Sequence, residues 1–236
     1  MGVSARIGDS LAGRRVLVTQ ADAFMGPALV AAFRAHGAIV QADARALDAP
    51  AAAQAAVDDA ERAAGGPVQV LVANLGVPAP STRAHEVGDD EWRRVFSHLV
   101  DPLPRLARAV LPAMLAARAG KVVVMGSATA LRGQKRTSTY AAARGAQVSW
   151  VRAVGAEVAC ADVQVNLIAQ NFVDNPMYYG PEVQALPAFQ ERLRREVPAA
   201  RLGTPEEDAL LAVFLASSEV GFLAGQAVPF AGGWVS

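Results

Sequence analysis

Along the whole chain, short runs of β-branched and aliphatic residues alternate with longer alanine-rich stretches. The short runs fall near 14–19, 38–42, 68–73, 121–126, 163–169 and 227–230 and read as strands. Between them the spacing predicts helices over 27–36, 51–64, 89–118, 138–160, 186–196 and 205–216. That alternation is the pattern of a parallel sheet covered by helices on both faces. Pro102, Pro104 and Pro112 are expected to bend or interrupt the helix over 89–118, because proline removes a helical donor and crowds the preceding turn. No linker or repeat divides the chain. The expectation is one α/β domain over residues 1–236, a doubly wound parallel sheet in three α/β/α layers.

Composition narrows the function classes. The chain has 236 residues, enough for a sizeable core in one domain. Its 22 basic and 22 acidic residues cancel, so it has no basic field to hold nucleic acid or an anionic membrane. A single cysteine, Cys160, excludes an internal disulfide and fits a reducing compartment; at a helix end it reads as a small buried hydrophobe. No apolar run reaches the ~20 residues of a membrane span. The opening MGVSARIGDS lacks the apolar region of a signal peptide, so a cytoplasmic location is expected. His36, His85 and His98 are scattered without metal-ligand spacing, and no metal is expected. Arg132, Lys135 and Arg136 read as a solvated loop.

Candidate chemistry lies in GSATALRGQKRTSTYAAAR. Ser127 stands at a strand end, Tyr140 thirteen residues on, and Arg144 four beyond that. Tyr140 and Arg144, at i and i+4 of a helix, leave one face and can meet. A guanidinium close to a phenol oxygen favours the phenolate, which would make Tyr140 a usable acid/base. Ser127 supplies a hydroxyl to orient a substrate oxygen.

These three residues resemble the catalytic set of the short-chain dehydrogenase/reductase superfamily, where the cation is normally lysine. The arginine version resembles the halohydrin dehalogenases, a cofactor-free branch of that superfamily. Three further departures point the same way. In RRVLVTQADAFMG, the turn after the first strand holds Gln20, Ala21, Asp22, Ala23 and Phe24 where a dinucleotide needs glycines, with Gly26 left. After VQVNLIA, the superfamily's Pro-Gly and nicotinamide-contacting threonine are replaced by Gln170, Asn171, Phe172 and Val173, leading to Tyr178 and Tyr179. Leu99 stands where classical reductases place a relay asparagine. What remains of the superfamily pattern is Asn74-Leu75-Gly76, Arg201 to Glu207, Gly225-Gln226 and Gly232-Gly233, so the resemblance spans essentially the whole chain.

The resemblance implies a Rossmann-like fold. RALDAP, between the second strand and the helix near Ala51, is too short for the helix and strand usual there, so one edge strand should be missing on the adenosine side. It implies a carbon–halogen lyase with no cofactor, interconverting vicinal haloalcohols and epoxides, with azide, cyanide and nitrite as further nucleophiles and a homotetramer as the assembly. Ser127, Tyr140 and Arg144 would be catalytic. Phe24, Asn171, Phe172, Val173 and Tyr179 would form the halide and substrate pocket, with backbone N–H groups making an anion nest. Of the two adjacent tyrosines, Tyr179 is the stronger candidate for lining a pocket. Two other readings stand beside this one: a degenerate NAD(P)-dependent short-chain reductase, and a non-catalytic sensor on the same fold.

Overall fold

The computed structural model of the protein describes residues 9–235. Six strands form one parallel sheet: β1 (Arg15–Thr19), β2 (Ile39–Asp43), β3 (Val70–Asn74), β4 (Gly120–Met125), β5 (Val163–Gln170) and β6 (Ala227–Phe230). Their spatial order is β2-β1-β3-β4-β5-β6. β1 lies between β2 and β3 in a register that sets Arg15 opposite Ile39 and Val16 opposite Val70. The order reverses direction at β1, and β2 forms an edge with no further strand beyond it among the described residues, as the short RALDAP connection predicts. Ligands in open sheets of this kind bind at such a reversal, outside the carboxyl ends of the strands.

The strand residues alternate between two apolar layers even though both faces are buried. Leu17, Leu71, Val122, Val124, Val165 and Leu167 face α2 (Ala52–Ala64), α3 (Asp89–Leu99), α4 (Pro102–Ala117) and α5 (Ser138–Val158). Val16, Val18, Val70, Val72, Val123 and Ile168 face α1 (Gly26–Ala35) and α8 (Pro205–Ala216). Two shorter helices, α6 (Pro181–Gln184) and α7 (Pro187–Glu196), lie between β5 and α8. α7 contributes Phe189 and Leu193 to a third apolar cluster with Ala128, Phe172 and Trp234.

The stretch 89–118 is two helices, broken at Val100–Asp101 just before Pro102. Proline suits the first turn of α4, where its missing N–H has no intrahelical partner to lose. Pro112 sits inside α4 without ending it. Cys160 differs from expectation: it is exposed, on the 3-10 turn after α5. Past the last full helical turn its side chain points off the packed face, so its small size brings no burial.

Candidate active site

At the carboxyl ends of β1, β3, β4 and β5 a single pocket gathers all eight residues singled out in the sequence. Phe24, Ser127, Tyr140, Arg144, Asn171, Phe172, Val173 and Tyr179 all line it. Ser127 follows β4 in extended backbone, and its Oγ caps the 3-10 turn Ala128–Ala130 by accepting from the Thr129 N–H at 3.3 Å. A second bond at 2.9 Å joins it to the Thr129 hydroxyl, which fixes the Ser127 rotamer.

Tyr140 and Arg144 project from the first two turns of α5 and are both buried. The guanidinium carbon lies 4.9 Å from the centroid of the Tyr140 ring, so the cation stacks on the phenol face. Its orientation is held from behind: Nη1 donates to the Met125 carbonyl at 3.0 Å and to Gln147 Oε1 at 2.9 Å. Gln147 Nε2 in turn donates to the Leu99 carbonyl at 2.6 Å. The Leu99 side chain cannot replace a relay asparagine, yet its backbone anchors a polar chain that ends on the Arg144 guanidinium. Sequence reasoning missed Gln147. Its signal was a polar residue three positions after Arg144 on the inward face of α5. The amino end of α5 is pinned as well, since Glu91 of α3 accepts from the Thr139 hydroxyl at 2.7 Å and from the Thr82 hydroxyl at 2.5 Å. Those bonds, Thr82's first, hold the Glu91 carboxyl below its ordinary range.

The turn after β1 keeps the backbone of a glycine turn while filling it with side chains. Gln20 and Phe24 both adopt left-handed φ, 43° and 52°, which glycine takes most readily. Asn74 ties the turn to β3 through Nδ2, which donates to the Gln20 and Ala23 carbonyls at 2.9 and 3.0 Å. Gln20 Oε1 accepts from the Gly76 N–H at 2.6 Å. The Phe24 ring packs on the α-carbon of Gly76, where a β-carbon would collide with it. The side chains of this turn therefore do not fit a dinucleotide as they stand, because Phe24 fills the space through which a diphosphate would approach the backbone.

Asn171 to Val173 form the opposite wall, with one difference from expectation. The Asn171 N–H donates to the Phe230 carbonyl at 3.0 Å, and the Phe172 N–H to Asn171 Oδ1 at 2.9 Å. Those two backbone donors are used within the protein and do not form the expected anion nest. Asn171 Oδ1 also accepts from the Tyr179 hydroxyl at 3.4 Å, and the Tyr179 ring stacks on Phe172 with centroids 6.0 Å apart. Burial pushes the Tyr179 phenol up from its ordinary range. Tyr178 lines the pocket too, beside Phe24 at 6.2 Å between centroids. Three buried polar atoms of the lining, Arg144 Nε, Gln170 Oε1 and Asn171 Nδ2, have no hydrogen-bond partner among the described residues. No group of three or more His, Cys, Asp or Glu able to hold a metal occurs among the described residues.

The family model described as enoyl-(acyl carrier protein) reductase matches residues 10–235. The chain belongs to the short-chain dehydrogenase/reductase superfamily. It is 32% identical over 169 residues to the 3-oxoacyl-[acyl-carrier-protein] reductase FabG of Vibrio harveyi, covering 71% of this chain and 67% of that one. It is 31% identical over 170 residues to the acetoacetyl-CoA reductase of Shinella zoogloeoides, covering 71% and 68%. A solved structure described as a dehalogenation enzyme superposes with a TM-score of 0.89 at 28% identity, covering 96% of this chain and all of the other. These sequence relatives overturn the expected enzyme class. Their names describe reductases, against the carbon–halogen lyase class expected from the sequence. No helix among the described residues is long and apolar enough to cross a membrane.

Proposed function

We propose that the chain is a short-chain reductase whose proton-transfer half is complete and whose cofactor turn is degenerate. The observation that carries this reading is the meeting of Ser127, Tyr140 and Arg144 in one pocket at the strand ends. Its substrate is a small molecule reacting at a carbonyl or alcohol oxygen. Ser127 and Tyr140 hold that oxygen, Tyr140 gives or takes its proton, and Arg144, stacked on the ring and anchored to Met125 and Gln147, fixes the phenol in place. General acid–base help of this kind contributes ~10²–10⁴-fold. The names of the sequence relatives make reduction of small oxoacyl compounds the first activity to assay. A homotetramer is the assembly expected of the family.

The reading requires the Phe24 ring to leave the turn before a dinucleotide can lie there. Calorimetric titration with NADH and NADPH tests it on the wild type and on Phe24→Gly, which removes the ring at a position already in glycine's backbone region. Micromolar binding, tighter in the variant, is the expected result. No binding by either protein would remove the reductase reading.

One observation favours a second reading. Phe24, seated on Gly76, gives the pocket a fixed apolar wall, and the dehalogenation enzyme shares this fold. With a vicinal haloalcohol, Tyr140 would take the hydroxyl proton while the oxygen attacks the neighbouring carbon and halide leaves as the epoxide closes. In reverse, azide, cyanide or nitrite would open an epoxide. Halide release from bromo- and chloroalcohols without added nicotinamide separates the two readings.

A further inference from the structure

Charge is distributed one-sidedly around the active-site cavity. Its lining carries two arginines, Arg144 and Arg192, and no aspartate, glutamate, lysine or histidine among the described residues. Thr137 and Tyr140, at the amino end of α5, also line it, so the positive end of that helix adds to the field. Arg144 is engaged by Tyr140, Met125 and Gln147. Arg192, from α7, is not used up in that way. Its guanidinium carbon lies 5.4 Å from the centroid of the Phe172 ring, and its Nε donates to Glu196 Oε2 at 3.1 Å. Glu196 is shared, since Arg195 Nη2 reaches its other oxygen at 3.2 Å. One carboxylate therefore serves two guanidinium groups, which leaves one positive charge over. Nη1 and Nη2 of Arg192 have no hydrogen-bond partner among the described residues, and the side chain is 37% exposed, so a ligand can reach it.

We propose that Arg192 is a substrate-binding residue and that the substrate carries a carboxylate: a small oxo acid or hydroxy acid whose reacting oxygen lies at Ser127 and Tyr140 and whose carboxylate meets Arg192 at the α7 wall. For the place of the reacting oxygen the inference rests on the proposed function. A planar guanidinium matches a carboxylate with two parallel N–H···O bonds, which a point charge cannot do. Phe172 under the guanidinium limits its orientations, so less freedom is lost when the carboxylate arrives. A lining with two cations and no carboxylate favours an anion over its neutral analogue. Water competes for a side chain this exposed, which holds the preference to about fivefold.

3-Hydroxybutyrate and its neutral amide, 3-hydroxybutyramide, share a carbon skeleton and differ in that one charge. Ligand-observed nuclear magnetic resonance titration of the wild-type protein, without nicotinamide, should find the acid bound about fivefold more tightly than the amide. Arg192→Gln should abolish the preference while binding the amide as before, which shows that the cavity itself is intact. Arg192→Lys should keep part of it, because the charge returns without the planar fork. Equal binding of acid and amide by the wild type, binding of neither, or a preference that survives Arg192→Gln overturns the inference. Should Arg192→Gln weaken only the binding of NADPH, the arginine belongs to the cofactor's diphosphate and the inference falls. The reductase reading fails separately. If the wild type shows the preference and yet consumes no NADPH with acetoacetate, the carboxylate site stands without the reduction.

Discussion

Arg144 stacks on Tyr140 in a geometry that lysine cannot copy. Its planar fork lies over the ring at 4.9 Å while one terminal nitrogen bonds both the Met125 carbonyl and Gln147. A lysine ammonium is a point charge on a flexible stem and cannot stack and bond in that way at once. Arg144→Lys should fold normally and lose at least ~10-fold in turnover, about 1.4 kcal/mol of barrier; circular dichroism with steady-state rates checks both. Asp208 has the reverse character, a buried charge outside the site. Neither of its oxygens has a hydrogen-bond partner among the described residues, and burial pushes its carboxyl up to about 7 from 3.8. A carboxyl raised on folding supports the fold fully below about 3.8, loses that support as pH climbs to about 7, and changes nothing further above it. Asp208→Asn should therefore melt higher than the wild type at pH 8, by the equivalent of a few kcal/mol at most (roughly 1–4), with the gap closing near pH 4. An equal gap at both pH values would mean that Asp208 stays charged throughout. Ser127, Tyr140 and Arg144 were legible as a set because a strand end and one helix turn fix their spacing locally. Gln147 was not, since a buried glutamine is recognised only by its partners, and one of those is the Leu99 carbonyl 48 positions away.

The strands and most helices follow the sequence pattern closely, because their apolar runs fill the two buried layers of the core. β5 extends one residue past the predicted 163–169, and β6 covers the predicted 227–230. α6 escaped notice: four residues are too few to show a helical period. The junction between the β1 turn and the end of β3 is where packing is tightest, since Phe24 occupies the space beside the Gly76 α-carbon. Gly76→Ala would drive a methyl into that ring. Overpacking of this kind costs ~1–3 kcal/mol, so the variant should melt lower, and Phe24→Gly should restore most of the loss. Failure of the second substitution to rescue the first would place the clash elsewhere.

For the molecule as a whole, the sequence by itself determined the parallel sheet, its missing edge strand, and the Ser127, Tyr140 and Arg144 set. Each of these is written in neighbouring residues: a run of apolar positions, a connection too short to hold another strand, a fixed offset along one helix. Superfamily membership was equally legible, while the lyase class inferred from Arg144, the filled turn after β1, the Gln170 to Val173 segment and Leu99 did not survive comparison with the reductase relatives. Only the tertiary structure decided what those residues touch. It turned Arg144 onto the ring face, engaged the Asn171 amide with the Phe230 carbonyl of β6 and the Phe172 amide with the Asn171 side chain, and set the Phe24 ring on Gly76. It also brought Tyr178 to Val77 across 101 positions of chain. The physical reason is plainest for the contacts between distant residues, Phe24 with Gly76, Asn171 with Phe230 and Tyr178 with Val77. Periodicity records which face of an element is buried, but a hydrogen bond or ring contact depends on the closure of long loops, and a contact between distant residues leaves no mark on the sequence near either partner.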